Sequence, residues 1–487
     1  MSSNRKRLRE ARAALSEATS YAAWLDAAES HDAVTGASAW RADDTSEHYD
    51  AESLRSSIAR MRTRRTSGDS QGLTDVMTED LYRHLGDLGD PSLYTTALGG
   101  TKHLVSDWLD EAERCLDWLA TADIPGLSAA EKRAQFALAH KVFGRSALLL
   151  SGGATWGFHH LGVVKALFEQ GLLPHILSGA STGAMIAAGV CARNDTELAA
   201  MFADTGSIRL DGLVPRGVTS ALKSGSWLDP ARLHDVLRHN VGDRTFAEAF
   251  AHSGRALNIS VSPVRRQQKA RLLCWMTAPD VLVASAALAS SALPVLFPPV
   301  QLEQRRDKGV EPYIPGELWV DGSLQSDLPK LRLARLHNVN HFIVSQTNPH
   351  VVPFVRQKGR RGVRPAVAGV ASATLRSQAT WAADLARRST QPLTGQVGQL
   401  VDHAHALVNQ DYRGDIDIHP RLDLRLLSKV VSNPSRADLE TFILEGQRSV
   451  WPKIAQVRAQ TRLSRAFARC VASLRSGTVP VPNNTLP

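Results

Sequence analysis

Ala147-Leu148-Leu149-Leu150-Ser151-Gly152-Gly153-Ala154-Thr155-Trp156-Gly157, and after it His175-Ile176-Leu177-Ser178-Gly179-Ala180-Ser181-Thr182-Gly183, are the stretches that decide the fold. Each is a short apolar run that breaks into glycine and serine and then enters a helical pattern, ending near Gly171 in the first case and covering Ala184–Ala192 in the second. A wholly apolar run of this length suits the middle of a parallel sheet covered on both faces. Two strand–turn–helix units in succession predict an α/β layered domain. Further strands are expected at Ala256–Ser262, Arg271–Trp275, Leu318–Val320 and His341–Ser345, and helices at Pro230–His239, Val281–Ser291 and Leu328–His337. Asp229 before Pro230 is a helix entry, a cap followed by proline at the first helical position.

On either side the character changes. Residues 1–140 read as a helical N-terminal domain, with apolar residues at helical spacing in Arg7–Ala28, Glu47–Thr63, Leu73–Leu85 and Thr101–Ala120. They carry no nucleophile, metal set or phosphate loop, so a helical platform or cap is expected. Residues 351–487 read as a mostly helical C-terminal extension that opens with a basic loop, leaving 145–350 for the α/β domain.

The 487 residues are 43% hydrophobic and 22% charged, the composition of an ordinary globular protein, which excludes a collagen-like, wholly disordered or disulfide-stapled chain. The four cysteines stand far apart with no C-x-x-C, so no metal site and a reducing compartment are expected. The net charge of +9 favours anionic surfaces. It gathers at Arg5–Arg12, Arg55–Arg65 and Arg356–Arg364, without the aromatic interleaving or zinc-finger spacing of a nucleic-acid binder. The N-terminus lacks the continuous apolar core of a signal peptide. Val281–Val300 has the length of a membrane span but is broken by Pro294, Pro298 and Pro299, so a buried helix followed by a proline-ordered loop is expected. The protein is expected in the cytoplasm, soluble or bound to a lipid surface.

Gly179-Ala180-Ser181-Thr182-Gly183 is a G-x-S-x-G sequence. Between a strand and a helix it makes a sharp elbow that exposes the serine oxygen. Gly152-Gly153-Ala154 fits neither a dinucleotide loop, whose glycine spacing and downstream acid are missing, nor a Walker loop, which needs Gly-Lys-Ser/Thr. Small residues opening a helix suit an oxyanion hole, where backbone N–H groups converge on one space. Serine then needs a base. His337, His341 and His350 keep a Ser–Asp/Glu–His triad open, and Asp321 in Leu318-Trp319-Val320-Asp321-Gly322-Ser323 ends an apolar strand at a turn.

These three pieces, in this order, resemble the patatin-like phospholipase family over Ala147 to Asn348. The resemblance implies a three-layer α/β/α domain with a central, mostly parallel sheet and no cofactor. It implies a Ser–Asp dyad without histidine, mapped onto Ser181 as nucleophile and Asp321 as base. The oxyanion loop maps onto Gly152, Gly153 and Ala154, and Gly157, Gly179, Gly183 and Gly322 support the motifs. Ser151–Gly157, Asp321-Gly322-Ser323 with Asp327-Leu328-Pro329, and Asn338–Gln346 with Asn348-Pro349-His350 are similar to the subgroup of fungal and plant triacylglycerol lipases. So are Trp40-Arg41, Tyr49-Asp50, Leu93-Tyr94 and Gly100-Thr101-Lys102.

Ala154 stands where many relatives have a third glycine and Trp156 where many have Arg or Lys, which removes a basic side chain from the loop and argues against a strong preference for phosphorylated head groups. No histidine has an Asp five positions later, so the H-x-x-x-x-D acyltransferase pattern is absent. The implied activity is lipid ester hydrolysis at a membrane or lipid-droplet surface, on triacylglycerol or, alternatively, phospholipid. A catalytically silent lipid-binding scaffold would share the fold.

Overall fold

A computed structural model describes residues 2–82, 88–217, 226–265, 268–294, 296–307, 309–348, 412–420 and 431–476. The chain forms two compact units, one of residues 1–145 with 450–487 and the other of residues 146–449.

Among the described residues, the second unit is built on a seven-stranded sheet. Its strands are β1 (Arg145–Leu150), β2 (Ile176–Gly179), β3 (Ala256–Pro263), β4 (Arg271–Leu273), β7 (Trp319–Asp321), β8 (Val339–Ser345) and β9 (Ile416–Ile418); β5 (Glu303–Arg306) and β6 (Gly309–Pro312) form a separate hairpin. The order is β4-β3-β2-β1-β8-β9, with β7 also paired to β3. β1 pairs parallel with β2, β2 with β3, and β8 with β9, so the sheet is mostly parallel. Ala147–Leu150 of β1 and all of β2 and β3 are buried, as expected of strands covered on both faces. Parallel neighbours need a crossover, and the helix His159–Glu169 supplies the one between β1 and β2.

One junction in this sheet positions everything that follows. β3 pairs with β2 along its first half, ending at Gly179↔Ile259. Val261 then pairs with Arg271 of β4 on one edge and with Asp321 of β7 on the other. Because a strand has only two edges, β7 occupies the edge that β2 has just left. It runs antiparallel to β3, so β2 and β7 approach head to head, and the chain leaving Gly179 meets the chain arriving at Asp321.

The expected strands and helices of the core are present with ends moved by a few residues; the apolar Val281–Ser291 segment is the buried helix Val283–Ser290. The segment expected as a separate C-terminal extension is shared out instead. Ile416–Ile418 is a strand of the sheet. The helix Arg436–Val450 crosses His159–Glu169 where Gly446 lies against Gly162 and the carbonyl of His159. The helix Ile454–Ser476 belongs to the first unit. Residues 351–411, with the third basic cluster, lie outside the described residues.

The first unit is helical. The expected helix Arg7–Ala28 is two, Ser2–Glu17 and Tyr21–Thr35, with the Ser20 hydroxyl capping the second by accepting from Ala23 N–H at 3.2 Å. Its core follows the face Leu104, Val105, Trp108, Ala112, Cys115 and Leu119 of the helix His103–Thr121. Leu463, Ala466, Phe467 and Cys470 of Ile454–Ser476 pack in the same cluster. The second basic cluster is spent inside this unit: Arg65 meets the buried Glu111 at 2.8 Å, Arg60 meets Asp80 at 3.0 Å, and Arg55 and Arg64 pair with Asp44 and Asp69.

Candidate active site

Ser181 sits at the elbow between β2 and the helix Thr182–Cys191, with φ 53° and ψ −127°. A β-carbon at positive φ is strained, and such strain persists only where the surroundings hold it. They do so here through backbone groups: Ser181 N–H donates to Ser290 Oγ at 3.0 Å, and Ser290 Oγ donates to the carbonyl of Ser260 at 2.7 Å. The flanking glycines are dictated by space. A Cβ on Gly179 would lie 2.3 Å from Gly183 O, and one on Gly183 would lie 2.2 Å from Leu150 O. On the opposing strand end, a Cβ on Gly322 would fall 2.0 Å from Ser260 O.

Asp321 is buried, with 1% of its surface exposed. Burial pushes its carboxyl up to about 6, while the N–H of Ser323 and the nearby side chains of Ser323 and Ser181 pull it down. The Ser323 N–H bond is 2.8 Å. The head-to-head junction of β2 and β7 therefore brings the two residues together across 140 positions of sequence.

The glycine loop comes from β1, whose neighbour β2 carries the elbow. Ala154 holds φ 48°, a second strained residue beside the first. Its carbonyl accepts from Thr182 Oγ1 at 2.8 Å, tying the loop to the helix after the elbow. Gly157 lies against the Thr182 side chain, 2.5 Å from where its Cβ would stand, and Gly153 against Thr347. Among the described residues, the N–H groups of Gly153 and Ala154 have no acceptor. The N–H of Gly152 is engaged: it donates to Asp327 Oδ1 at 2.9 Å.

Behind the loop His160 is fully buried, with Nε2 at 3.0 Å from Ser151 O, which can only accept. Nε2 therefore carries the proton and Nδ1 accepts from Ser345 Oγ at 2.7 Å. Burial holds this ring down to about 4, so it is neutral.

A cavity of about 300 Å³ opens beside Ser181 and Ala154, walled mostly by leucine, isoleucine, valine, methionine and phenylalanine. Leu293, Leu296 and Phe297 of the proline-ordered loop line it, whereas the preceding helix Val283–Ser290 is buried core.

Residues 148–332 match the patatin-like phospholipase family, and residues 1–141 match a domain of unknown function, DUF3336. Triacylglycerol lipase ptl3 of Schizosaccharomyces pombe is 33% identical over 94% of this chain and 97% of its own length. This chain belongs to the patatin-like phospholipase family. Triacylglycerol lipase SDP1L of Arabidopsis thaliana is 33% identical over 88% of the chain, and triacylglycerol lipase 4 of Saccharomyces cerevisiae 30% identical over 93%. The chain spans about half the length of these two, 54% and 51%.

In this patatin-like chain the histidines that kept a triad open are elsewhere. His337 Nε2 lies 2.8 Å from Asn258 Oδ1, and His341 Nδ1 lies 3.1 Å from Ser146 Oγ, near the start of β1 rather than the elbow end. His350 lies outside the described residues.

The patatin-like site also holds a residue that motif reading passed over. Asp327, 1% exposed, accepts from Gly152 N–H and, at 2.7 Å, from Asn348 Nδ2. Burial, with the Asp321 carboxylate adding to it, pushes its carboxyl up to about 7 against those hydrogen bonds. The Asp327-Leu328-Pro329 stretch was visible in the sequence, but nothing local marks its aspartate as a partner of the glycine loop.

Proposed function

We propose that this protein hydrolyses lipid acyl esters, triacylglycerol foremost, through an acyl-enzyme on Ser181 with Asp321 as the base. The observation that carries the proposal is the register that sets Ser181, just past the end of β2, against the buried Asp321 at the end of β7, beside an apolar cavity. As Ser181 Oγ attacks the ester carbonyl, its proton passes to Asp321. The N–H groups of Gly153 and Ala154 receive the oxyanion, each such donor typically contributing about 3 kcal/mol. Gly152, its N–H engaged by Asp327, holds the loop rather than the oxyanion. Asp321 returns the proton to the departing glyceride oxygen, then takes one from water as that water attacks the acyl-enzyme. The carboxylic acid is released and Ser181 restored. Names of relatives that act on triacylglycerol, an apolar cavity and Trp156 in place of a basic residue support neutral lipid as substrate.

Among the described residues no helix is long and apolar enough to cross a membrane. Among the described residues, the exposed Arg5, Arg9 and Arg12 share one side of Ser2–Glu17 and offer a basic face for anionic lipid, while Arg55, Arg60, Arg64 and Arg65 meet carboxylates of their own unit.

Fatty-acid release by wild type, Ser181→Ala and Asp321→Asn on emulsified triolein and on phosphatidylcholine vesicles tests the proposal. Each substitution should lower triolein turnover by about three orders of magnitude or more with the fold intact. Serine-dependent release from vesicles alone would replace the lipase reading with a phospholipase. An Asp321→Asn protein of near-normal activity would remove the dyad, and release from neither substrate would leave a lipid-binding scaffold.

A further inference from the structure

The helix that follows the elbow presents one continuous stripe to the cavity: Thr182, Met185, Ile186, Gly189, Val190 and, just past its end, Arg193. This is the three-and-four spacing of a single helical face, so the stripe runs away from Ser181 along the helix axis. The helix Pro230–Val241 supplies a facing stripe, Leu233, Val236, Leu237 and Asn240. Arg244 Nη1 donates to Ala192 O at 2.9 Å, which brings the C-terminal ends of the two helices together. The polar residues Arg193 and Asn240 thus share the end of the cavity remote from Ser181. That end is fastened: Asn240 exchanges two 2.9 Å hydrogen bonds with the main chain of Arg209, and Arg193 Nη1 turns back to Gly189 O at 2.7 Å.

Gly189 is the anomaly in this wall. Its neighbours Gly179 and Gly183 have no room for a side chain, but a Cβ on Gly189 would meet only Arg193 Nη1, at 3.7 Å, an ordinary contact. Its φ is not positive, and glycine is a poor helix former. Neither packing nor backbone geometry asks for a glycine here. What its missing side chain does is keep the cavity open midway along its length.

We propose that Gly189 sets the acyl-chain length this enzyme accepts, with the face of the helix after the elbow acting as a ruler for a long-chain acyl group. The proposal rests on Ser181 being the residue that takes up the acyl group. At ~1.5 Å of rise per residue, Gly189 stands about 12 Å from Ser181 along the axis and Arg193 about 18 Å. An extended alkyl chain advances about 1.3 Å per carbon, given C–C bonds of about 1.5 Å. Gly189 then faces roughly the ninth carbon, and the polar end roughly the fourteenth.

The test is a series of p-nitrophenyl esters with four-, eight-, twelve- and sixteen-carbon chains, given to wild type, Gly189→Leu and Gly189→Phe. The ratio of kcat/KM for the sixteen-carbon ester to that for the four-carbon ester should fall at least tenfold in Gly189→Phe and by less in Gly189→Leu. An unchanged ratio in a folded variant would overturn the ruler. Palmitate and octanoate binding to Ser181→Ala, with and without Gly189→Leu, reads the cavity without turnover. Tight palmitate binding that Gly189→Leu weakens at least tenfold more than octanoate binding supports the ruler; equal effects overturn it. Palmitate binding so weakened, with no serine-dependent turnover of any ester, would sink the proposed hydrolase while upholding the cavity's selectivity.

Discussion

Asp321 and Asp327 make the site's pH behaviour a property of two buried carboxyls. Both are raised, to about 6 and about 7, whereas in the unfolded chain each ionises at about 3.9. Between those values the folded protein binds protons that the unfolded chain releases. Their contribution to stability is complete below about pH 4 and is lost as pH rises through 6 and 7. Asp327→Asn keeps an acceptor for Gly152 N–H without the charge, so its stability relative to wild type should grow from pH 5 to pH 8. The gain should reach a few kcal/mol, since each pH unit separating folded from unfolded ionisation corresponds to about 1.4 kcal/mol. Urea unfolding at both pH values measures this, and a constant difference would contradict it. Turnover, needing Asp321 ionised, should rise with a midpoint near pH 6. Ser181 and the glycines around it could be read from the chain because the elbow is local. Asp327 could not, since its partners Gly152 and Asn348 lie 175 and 21 positions away.

Helical glycines have opposite reasons for being glycine, and substitution separates them. Where Arg436–Val450 crosses His159–Glu169, a Cβ on Gly446 would lie 2.3 Å from His159 O and 2.8 Å from Gly162 Cα. Gly446→Val should cost about 1–3 kcal/mol or more through overpacking, whereas Gly189→Ala, whose Cβ would make only an ordinary contact with Arg193, should gain about 0.5–1 kcal/mol from helix propensity. Thermal unfolding of the two variants checks the signs; a stabilised Gly446→Val would refute the crossing. β1, covered on both faces, declares itself as an apolar run, whereas β3 alternates Asn258, Ser260 and Ser262 with apolar residues although every position is buried. Ile416-Asp417-Ile418 does not declare itself, because three residues carry no period and its pairing with Ile343–Ser345 is remote. The hairpin strand Glu303–Arg306 is Glu-Gln-Arg-Arg, a composition with no β signature.

Across the whole molecule, the amphipathic stripe of Ile454–Ser476 announces that this helix is buried against something but not against what; only the folded chain assigns it to the cluster around His103–Thr121. The same limit governs the catalytic pair. Gly179 and Asp321 abut only because Ile259 and Val261 of a third strand hold both ends in register. Local helical contacts form early in folding, while pairings between distant segments wait on loop closure. The abutting strand ends therefore make catalysis a late clock. On dilution from denaturant, far-ultraviolet ellipticity should return well before ester turnover, and a mutation that weakens β7 against β3 should lengthen that interval without changing the first phase. Coincident recovery of both signals would mean that the pair is assembled as early as the helices.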